Sequence, residues 1–308
     1  VEARLAREFR VLRCREGDKE WDGEIETLVG NADAICPTVA DRISDHLMRR
    51  AGKRLRIIAN FGVGYDNIDH AAARELGVVV TNTPDVLTES TADLAITLLL
   101  MVARRAGEGE RLVRQRAWTG WQPLQLLGRE VSGKTLGLVG FGRIAQAVAR
   151  RAHSGFGMRI LVYSRSEVDA TVLARFGARQ CAELRELMVA SDFVSLHCPS
   201  TPATHHLINA EALQWLGPGS ALINTARGNV VDEAALALAL RNGTLGAAGL
   251  DVYEKEPAIE SGLFELENVV LLPHLGSATE ETRSAMGNRM VDNLVEFFAG
   301  RPPRDRVV

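Results

Sequence analysis

The sequence predicts an α/β protein built from two doubly wound parallel-sheet units, and three observations carry that prediction. First, runs rich in Val, Ile and Leu, each of strand length, alternate with segments of helical period along nearly the whole chain. Strands that are apolar throughout, set between helices, belong to a parallel sheet covered on both faces. Second, the chain has 308 residues, about twice the usual span of one domain. Third, 46% of the residues are hydrophobic and only 5% aromatic, an aliphatic balance that suits α/β layers better than a β-sandwich.

The elements follow in order. "VEARLAREF" places Val1, Leu5 and Phe9 on one helical face. An α/β chain opens more naturally on a strand, so a short strand is expected to be missing ahead of Val1. "FRVLRC" and "ADAICP" read as short strands, and "DRISDHLMRRA" as a helix ending before Gly52. "LRIIAN" is a strand that leads into the glycine-rich turn "FGVGYDN". The helix "DHAAARELG" then ends on Gly77, where left-handed backbone costs little. "VVVTNTP" is the next strand. One long helix is expected over "TESTADLAITLLLMVARRAGEGERLVRQ", opened by Thr and Ser with acids in its first turns.

After a loop from Trp118 to Gly133 the alternation restarts with "TLGLVGFG" (strand), "RIAQAVARRAH" (helix) and "RILVYS" (strand). "VLARFG", "AELRELMVAS", "DFVSLHC", "NAEALQWL", "SALINTA", "DEAALALALRNG", "AAGLDV" and "VVLLPH" complete the second unit. The last helix, "EETRSAMGNRMVDNLVEFFAG", is expected to pack back on the first. Crossings near Pro84–Ser90 and His274–Thr279 divide the chain into 1–84 with 276–308, and 85–275.

Bulk properties exclude several function classes. The net charge is −3 with no basic block, which argues against a nucleic-acid or anionic-membrane partner. The four cysteines (Cys14, Cys36, Cys181 and Cys198) show neither disulfide nor metal-ligand spacing. No metal is expected, and a reducing, cytoplasmic setting is the simpler assignment. The longest apolar run, Leu94–Ala103, is too short to span a bilayer and continues into Arg104 and Arg105. No signal peptide is visible.

The motif "GFGRIA" lies between a predicted strand and a predicted helix. Gly140 permits a tight turn, Gly142 lets backbone approach a pyrophosphate, and Ala145 keeps the third position small for helix–strand packing. Arg143 and Ile144 open the helix, whose positive N-terminus would receive the phosphates. A dinucleotide site is therefore expected rather than an ordinary strand–helix turn. The following strand should end in an acid that grips the ribose, but it ends Ser164, Arg165, Ser166. Arg165 can pair with a 2′-phosphate, and both serines can donate hydrogen bonds to it. This favours NADP(H) over NAD(H), with NAD(H) still possible. The plain alternative is a solvated loop without selectivity.

Arg227, Glu256 and His274 each follow a late apolar strand, and ligands gather beyond the carboxyl ends of strands in such sheets. Singly, each has a dull explanation in ion pairing or packing. Together they supply a cation for a carboxylate, a titratable imidazole and a carboxylate to tune it.

In this order, "GFGRIA", "INTARGNVVDEAAL", "GLDVYEKEP" and "NVVLLPHLGSAT" resemble the D-2-hydroxyacid dehydrogenases, across nearly the whole chain. "NFGVGYDNID", "TNTPDVLTESTADLA" and "SRS" are most similar to the glyoxylate/hydroxypyruvate reductases of that family. The resemblance implies two Rossmann-like domains, with a coenzyme domain inserted into a discontinuous substrate domain, and a homodimer formed through the coenzyme domains. It implies reduction of a small 2-oxoacid, with His274 as acid/base, Glu256 as its partner and Arg227 as substrate anchor. The amides of Val63 and Gly64 would hold the carboxylate from the other domain. Thr91, Pro199, Thr204, Thr225, Ala226, Asp251 and Gly276 are carried to the cofactor cleft. Trp121 either reaches a neighbouring subunit's pocket or packs within its own loop, and His197 lines the cleft without acting as a catalyst.

Two departures stand out: Ala145 replaces the commoner third glycine, and Phe141 lies where relatives often carry an aliphatic residue, with no consequence expected. The alternatives are an NAD-linked enzyme such as a short phosphoglycerate dehydrogenase and, less suited, a formate or phosphite dehydrogenase. From another class comes a nucleotide-sensing corepressor of the same fold, which a turnover assay separates at once.

Overall fold

Three short apolar runs pair in parallel to form the first sheet, in the order β1 (Ala34–Ile35), β2 (Ile57–Ala59), β3 (Val79–Thr81). The computed structural model describes residues 1–13 and 28–308. It divides into one unit of Val1–Leu87 with Ala278–Val308 and another of Thr88–Ser277. Successive side chains of a strand point to opposite faces, and β2 uses both. Ile58 enters a core with Ile43, Leu47, Met48, Ala72, Ala73 and Val80. Ile57 and Ala59 meet Met290, Val291 and Leu294 of the last helix, Glu280–Phe298, which thus packs on the first unit as expected.

Two expectations for this unit need correction. The helix expected over 41–51 begins at Asp45, because the Ser44 hydroxyl caps it by accepting the Leu47 N–H at 3.3 Å. "FRVLRC" is not a strand over its described part. Phe9 is extended but ends the helix Glu2–Glu8, and its ring packs on Phe298 at 5.6 Å. Its apolar side chain serves a helix–helix contact, not a sheet; Cys14 lies outside the described residues.

The second unit holds seven parallel strands: β4 (Thr135–Val139), β5 (Arg159–Tyr163), β6 (Ala178–Gln180), β7 (Phe193–Leu196), β8 (Ala221–Asn224), β9 (Ala247–Leu250) and β10 (Val269–Leu271). Their order is β10-β9-β8-β7-β4-β5-β6. The chain leaves β4 toward β5 and β6 on one side, then returns to build β7 to β10 on the other. The switch point where such sheets bind ligands therefore lies between β4 and β7. Alternate residues sort to two cores: Val139, Leu161, Val194, Leu222 and Leu250 on one face, and Leu138, Ile160, Phe193 and Ile223 on the other. Burying each such side chain contributes about 1.5–3 kcal/mol.

The single long helix expected after Pro84 is two helices, Thr88–Ala103 and Ala106–Arg114, with Arg105 left-handed between them (φ 51°). The Ala103 carbonyl that should continue the first helix instead accepts the Arg129 N–H at 2.7 Å. Strand β6 is a further difference. "ARQ" has too little apolar character to read as a strand, and it forms the half-exposed edge beside β5. No helix among the described residues is long and apolar enough to cross a membrane.

Candidate active site

The turn after β4 has the form that the glycines dictate. Gly140 takes φ 88°, and a Cβ there would lie 2.9 Å from the backbone of His197 and Cys198 after β7, so both conformation and contact require glycine. Gly142 precedes the helix Arg143–Phe156, which has no side-chain cap, and nothing lies within 4 Å of where its Cβ would be. The uncapped N–H groups and the open space in front of them fit a phosphate group. Ala145 is fully buried in the core, as the small third position requires. Phe141, for which no consequence was expected, is also buried and meets Phe176 edge-on at 5.8 Å.

Ser164, Arg165 and Ser166 follow β5 directly. Ser164 is half-buried, and Arg165 and Ser166 are exposed. The Arg165 guanidinium has no hydrogen bond or ion pair among the described residues. A cation free at this strand end is available to a ligand.

At the other end of the sheet the late-strand residues do converge. His274 Nδ1 lies 2.9 Å from Glu256 Oε2, and Glu256 Oε1 accepts the Tyr253 N–H at 2.9 Å. Burial alone would raise the Glu256 carboxyl. The hydrogen bonds from His274 and the Tyr253 amide, with the charges of His274 and Arg227, outweigh it and hold the carboxyl below its ordinary range. The two side chains keep 31% and 37% of their surface exposed, so a ligand can reach the pair.

His274 is left-handed (φ 56°), a conformation that costs a non-glycine residue about 1 kcal/mol. Asp251 holds it there. Its carbonyl accepts the His274 N–H at 2.9 Å, and its carboxylate accepts those of Leu275 (2.7 Å) and Gly276 (2.8 Å). Burial raises the Asp251 carboxyl, and the two amide bonds oppose that rise. Thr91 closes the cluster by donating its hydroxyl to the Gly276 carbonyl at 3.1 Å. Thr91, Asp251 and Gly276 therefore form one group, and its bonds brace the turn that carries His274.

Arg227 is half-buried on a turn framed by Asn224, whose side chain accepts the Ala226 N–H (3.0 Å) and donates to the Arg227 carbonyl (2.9 Å). Arg227 Nη1 donates to the Ala226 carbonyl at 2.7 Å. Thr225 is buried, with a hydroxyl that has no partner among the described residues. Thr204 is occupied: its hydroxyl accepts the Thr201 N–H and donates to the Pro199 carbonyl at 2.6 Å, shaping the turn after β7. His197 bonds Ser195 Oγ at 2.9 Å, and burial pulls its imidazole down to about 4. That ring is neutral at ordinary pH, which suits a lining residue. Trp121 is 80% exposed. Cys36, Cys181 and Cys198 carry free thiols.

In the first unit, the turn at Val63 and Gly64 is braced from beneath. Asn60 donates to the Gly64 carbonyl (2.8 Å) and Asn82 to that of Val63 (2.9 Å). The amides of Val63 and Gly64 bond to no described residue, leaving two N–H groups for an anion.

Three residues that shape the site escaped the sequence argument. Gly228 packs so closely on the Tyr253–Glu254 backbone that a Cβ would lie 1.8 Å from the Tyr253 carbonyl carbon. Glu233 is buried and accepts the N–H groups of Glu254 and Glu260, tying down the loop that carries Glu256. Gln180 bonds the turn after β5. A glycine beside an arginine and an acid opening a helix have common explanations, so only spatial neighbours reveal these roles.

Residues 96–276 match the family described as "D-isomer specific 2-hydroxyacid dehydrogenase, NAD binding domain". The chain is 47% identical to the glyoxylate reductase of Thermococcus litoralis over 91% of this chain and 84% of that protein. It is 48% identical to that of Pyrococcus furiosus over 97% and 89%. Among solved structures, it is similar to the NADPH-dependent glyoxylate/hydroxypyruvate reductase of Sinorhizobium meliloti, crystallised with NADP and malonate. That match has a TM-score of 0.88 and 39% identity, covering 100% of this chain and 92% of that one.

Proposed function

The chain belongs to the D-isomer specific 2-hydroxyacid dehydrogenases, nicotinamide-dependent oxidoreductases acting on CH–OH donors, and on that premise we propose that it reduces glyoxylate or hydroxypyruvate to the D-2-hydroxyacid, with NADPH preferred over NADH. The observation that carries this reading is the His274–Glu256 bond at 2.9 Å, in a sheet that offers a phosphate cradle at its switch point. The nicotinamide, when bound, supplies hydride to the keto carbon. The chain's own residues do the rest. Glu256 engages Nδ1 of His274, so the other ring nitrogen, Nε2, faces the reaction and delivers the proton to the keto oxygen. Glu256, held ionised, fixes the orientation of the imidazole through Nδ1. Arg227 binds the substrate carboxylate and stabilises charge as it develops on the oxygen. In the first unit, the amides of Val63 and Gly64, which bond to no described residue, serve as a carboxylate holder.

The NADPH preference rests on the free guanidinium of Arg165 between Ser164 and Ser166. Thr225, with an unpartnered buried hydroxyl, joins Pro199, Thr204, Ala226 and the Thr91–Asp251–Gly276 group as the cofactor's further surroundings. We assign the homodimer to the loop after Ala106–Arg114. It exposes Trp118 (53%), Trp121 (80%), Leu124 (79%) and Leu127 (61%), more apolar surface than one solvated loop normally carries.

The test is kcat/KM for NADPH against NADH with saturating glyoxylate. A ratio well above one that collapses in Arg165→Asp supports the reading. A ratio near or below one makes the serine–arginine–serine turn a plain solvated loop and favours an NAD-linked dehydrogenase. No turnover with either cofactor favours a nucleotide-sensing binding protein.

A further inference from the structure

The turn that follows β5 is held in shape by one side chain from the neighbouring strand. Gln180 ends β6, where it pairs in register with Val162 of β5. Its Nε2 donates to the carbonyls of Ser164 (3.4 Å) and Ser166 (3.1 Å), and its Oε1 accepts the Val168 N–H at 2.9 Å. These three bonds fix the backbone on both sides of Arg165. Arg165 itself has no partner among the described residues, so only that backbone fixes where its side chain leaves the turn. All three bonds go to the segment 164–168, the segment that carries both serines and the guanidinium.

We infer that Gln180 is a specificity-determining positioning residue, which pre-forms the turn that receives the 2′-phosphate of NADP(H). The inference rests on the NADPH reading above. Two hydroxyls and a guanidinium can converge on one phosphate only if the backbone between them is already in place. Otherwise part of the contact energy is spent on ordering the turn. The non-phosphorylated cofactor offers these three residues only neutral ribose hydroxyls, so it gains far less from a pre-formed turn than the charged 2′-phosphate does. Gln180 is half-exposed on an edge strand of three residues, and its loss leaves the two cores intact.

The experiment compares wild type with Gln180→Leu, which removes all three bonds. Gln180→Glu is the second variant; it keeps the acceptor for Val168 but loses both donors and adds a negative charge. Calorimetry on the cofactor-free protein measures Kd for adenosine 2′,5′-bisphosphate and for AMP. Steady-state assays then give kcat/KM for NADPH and NADH. Gln180→Leu is expected to weaken the bisphosphate about tenfold and AMP by less than about twofold, with the loss for NADPH falling on KM. Gln180→Glu should weaken the bisphosphate further, because its charge opposes the phosphate. Equal losses for both nucleotides, or none, would overturn the inference and leave Gln180 as turn packing. A wild type that does not prefer the bisphosphate over AMP would instead overturn the NADPH reading, and this inference with it.

Discussion

Gly228→Ala is a one-carbon change whose effect follows from a single close approach. A Cβ on residue 228 would lie 1.8 Å from the Tyr253 carbonyl carbon, 2.0 Å from its oxygen and 2.2 Å from the Glu254 nitrogen, where ordinary contact begins at 3.4 Å. All three atoms are backbone, so no rotamer relieves the overlap, and the two strand-end turns must separate by about 1.6 Å. Tyr253 is also the amide that holds Glu256 Oε1, and Glu256 Oε2 reaches His274 at 2.9 Å. If the shift is passed on in full, that second bond opens to about 4.5 Å, beyond hydrogen-bond range. A misplacement of this size at the proposed acid/base pair is expected to lower kcat about 100-fold. Overpacking should also cost about 1–3 kcal/mol of stability. The assay is kcat with glyoxylate, alongside the urea midpoint. The control is Gly155→Ala, a helical glycine with nothing within 4 Å of its added carbon, which should hold or gain about 0.5–1 kcal/mol. Wild-type kcat and stability in Gly228→Ala would refute the claim that this backbone contact positions Glu256.

Asp251→Ala strips the acceptors from the Leu275 and Gly276 amides, at about 1–3 kcal/mol for the buried Gly276 N–H and less for that of Leu275. Denaturant unfolding should show it less stable than Asp251→Asn, which keeps an acceptor oxygen; equal stability of the two would remove the carboxylate from the brace. His197, lowered by burial from 6.5 to about 4, binds fewer protons folded than unfolded between those values, so its contribution to stability shrinks as pH falls through that window. The stability–pH slope from 6.5 to 4 should therefore be shallower in His197→Gln; an unchanged slope would mean the ring titrates normally. For the loop with Trp121 and Leu124 exposed at 80% and 79%, sedimentation should show a dimer that Trp121→Ser with Leu124→Ser dissociates, and a monomeric wild type would refute the assignment.

Much of this was legible in the chain because its signals are local. Apolar runs of strand length, glycines at a strand–helix turn and polar residues just past strand ends each constrain structure within a few residues. The pairing of His274 with Glu256 followed from their both ending late strands. What could not be read depends on partners distant in sequence. The break at Arg105 exists because Arg129, over twenty residues on, takes the Ala103 carbonyl. Strand β6 lacks an apolar run because it is an edge, and its role comes from Gln180 reaching back to Ser164. Phe141 looked neutral because its neighbour Phe176 lies across a strand and two helices. The short helix Glu2–Glu8 was legible, but the run after it misled, since the aromatic side chain that suggested a strand is buried against Phe298.

The strand order also separates the proposed cofactor turn from the proposed acid/base pair. Arg165 and Gln180 stand at β5 and β6, whereas Glu256 and His274 follow β9 and β10, with β4, β7 and β8 between β5 and β9. Four steps at roughly 4.8 Å put the β5 and β9 ends about 19 Å apart. The glycine turn of β4 lies inside that span, where the pyrophosphate of a single dinucleotide would cross. Sites so far apart, each fixed by its own brace, should not share a strain. Changes at distant sites that share no partner combine additively in free energy. The double variant Arg165→Asp with Gly228→Ala is therefore expected to show the product of the two single losses in kcat/KM for NADPH, within about threefold. A double variant no worse than Gly228→Ala alone would mean that the cofactor turn and the acid/base pair act as one unit, and that the sheet between them transmits more than its parallel register suggests.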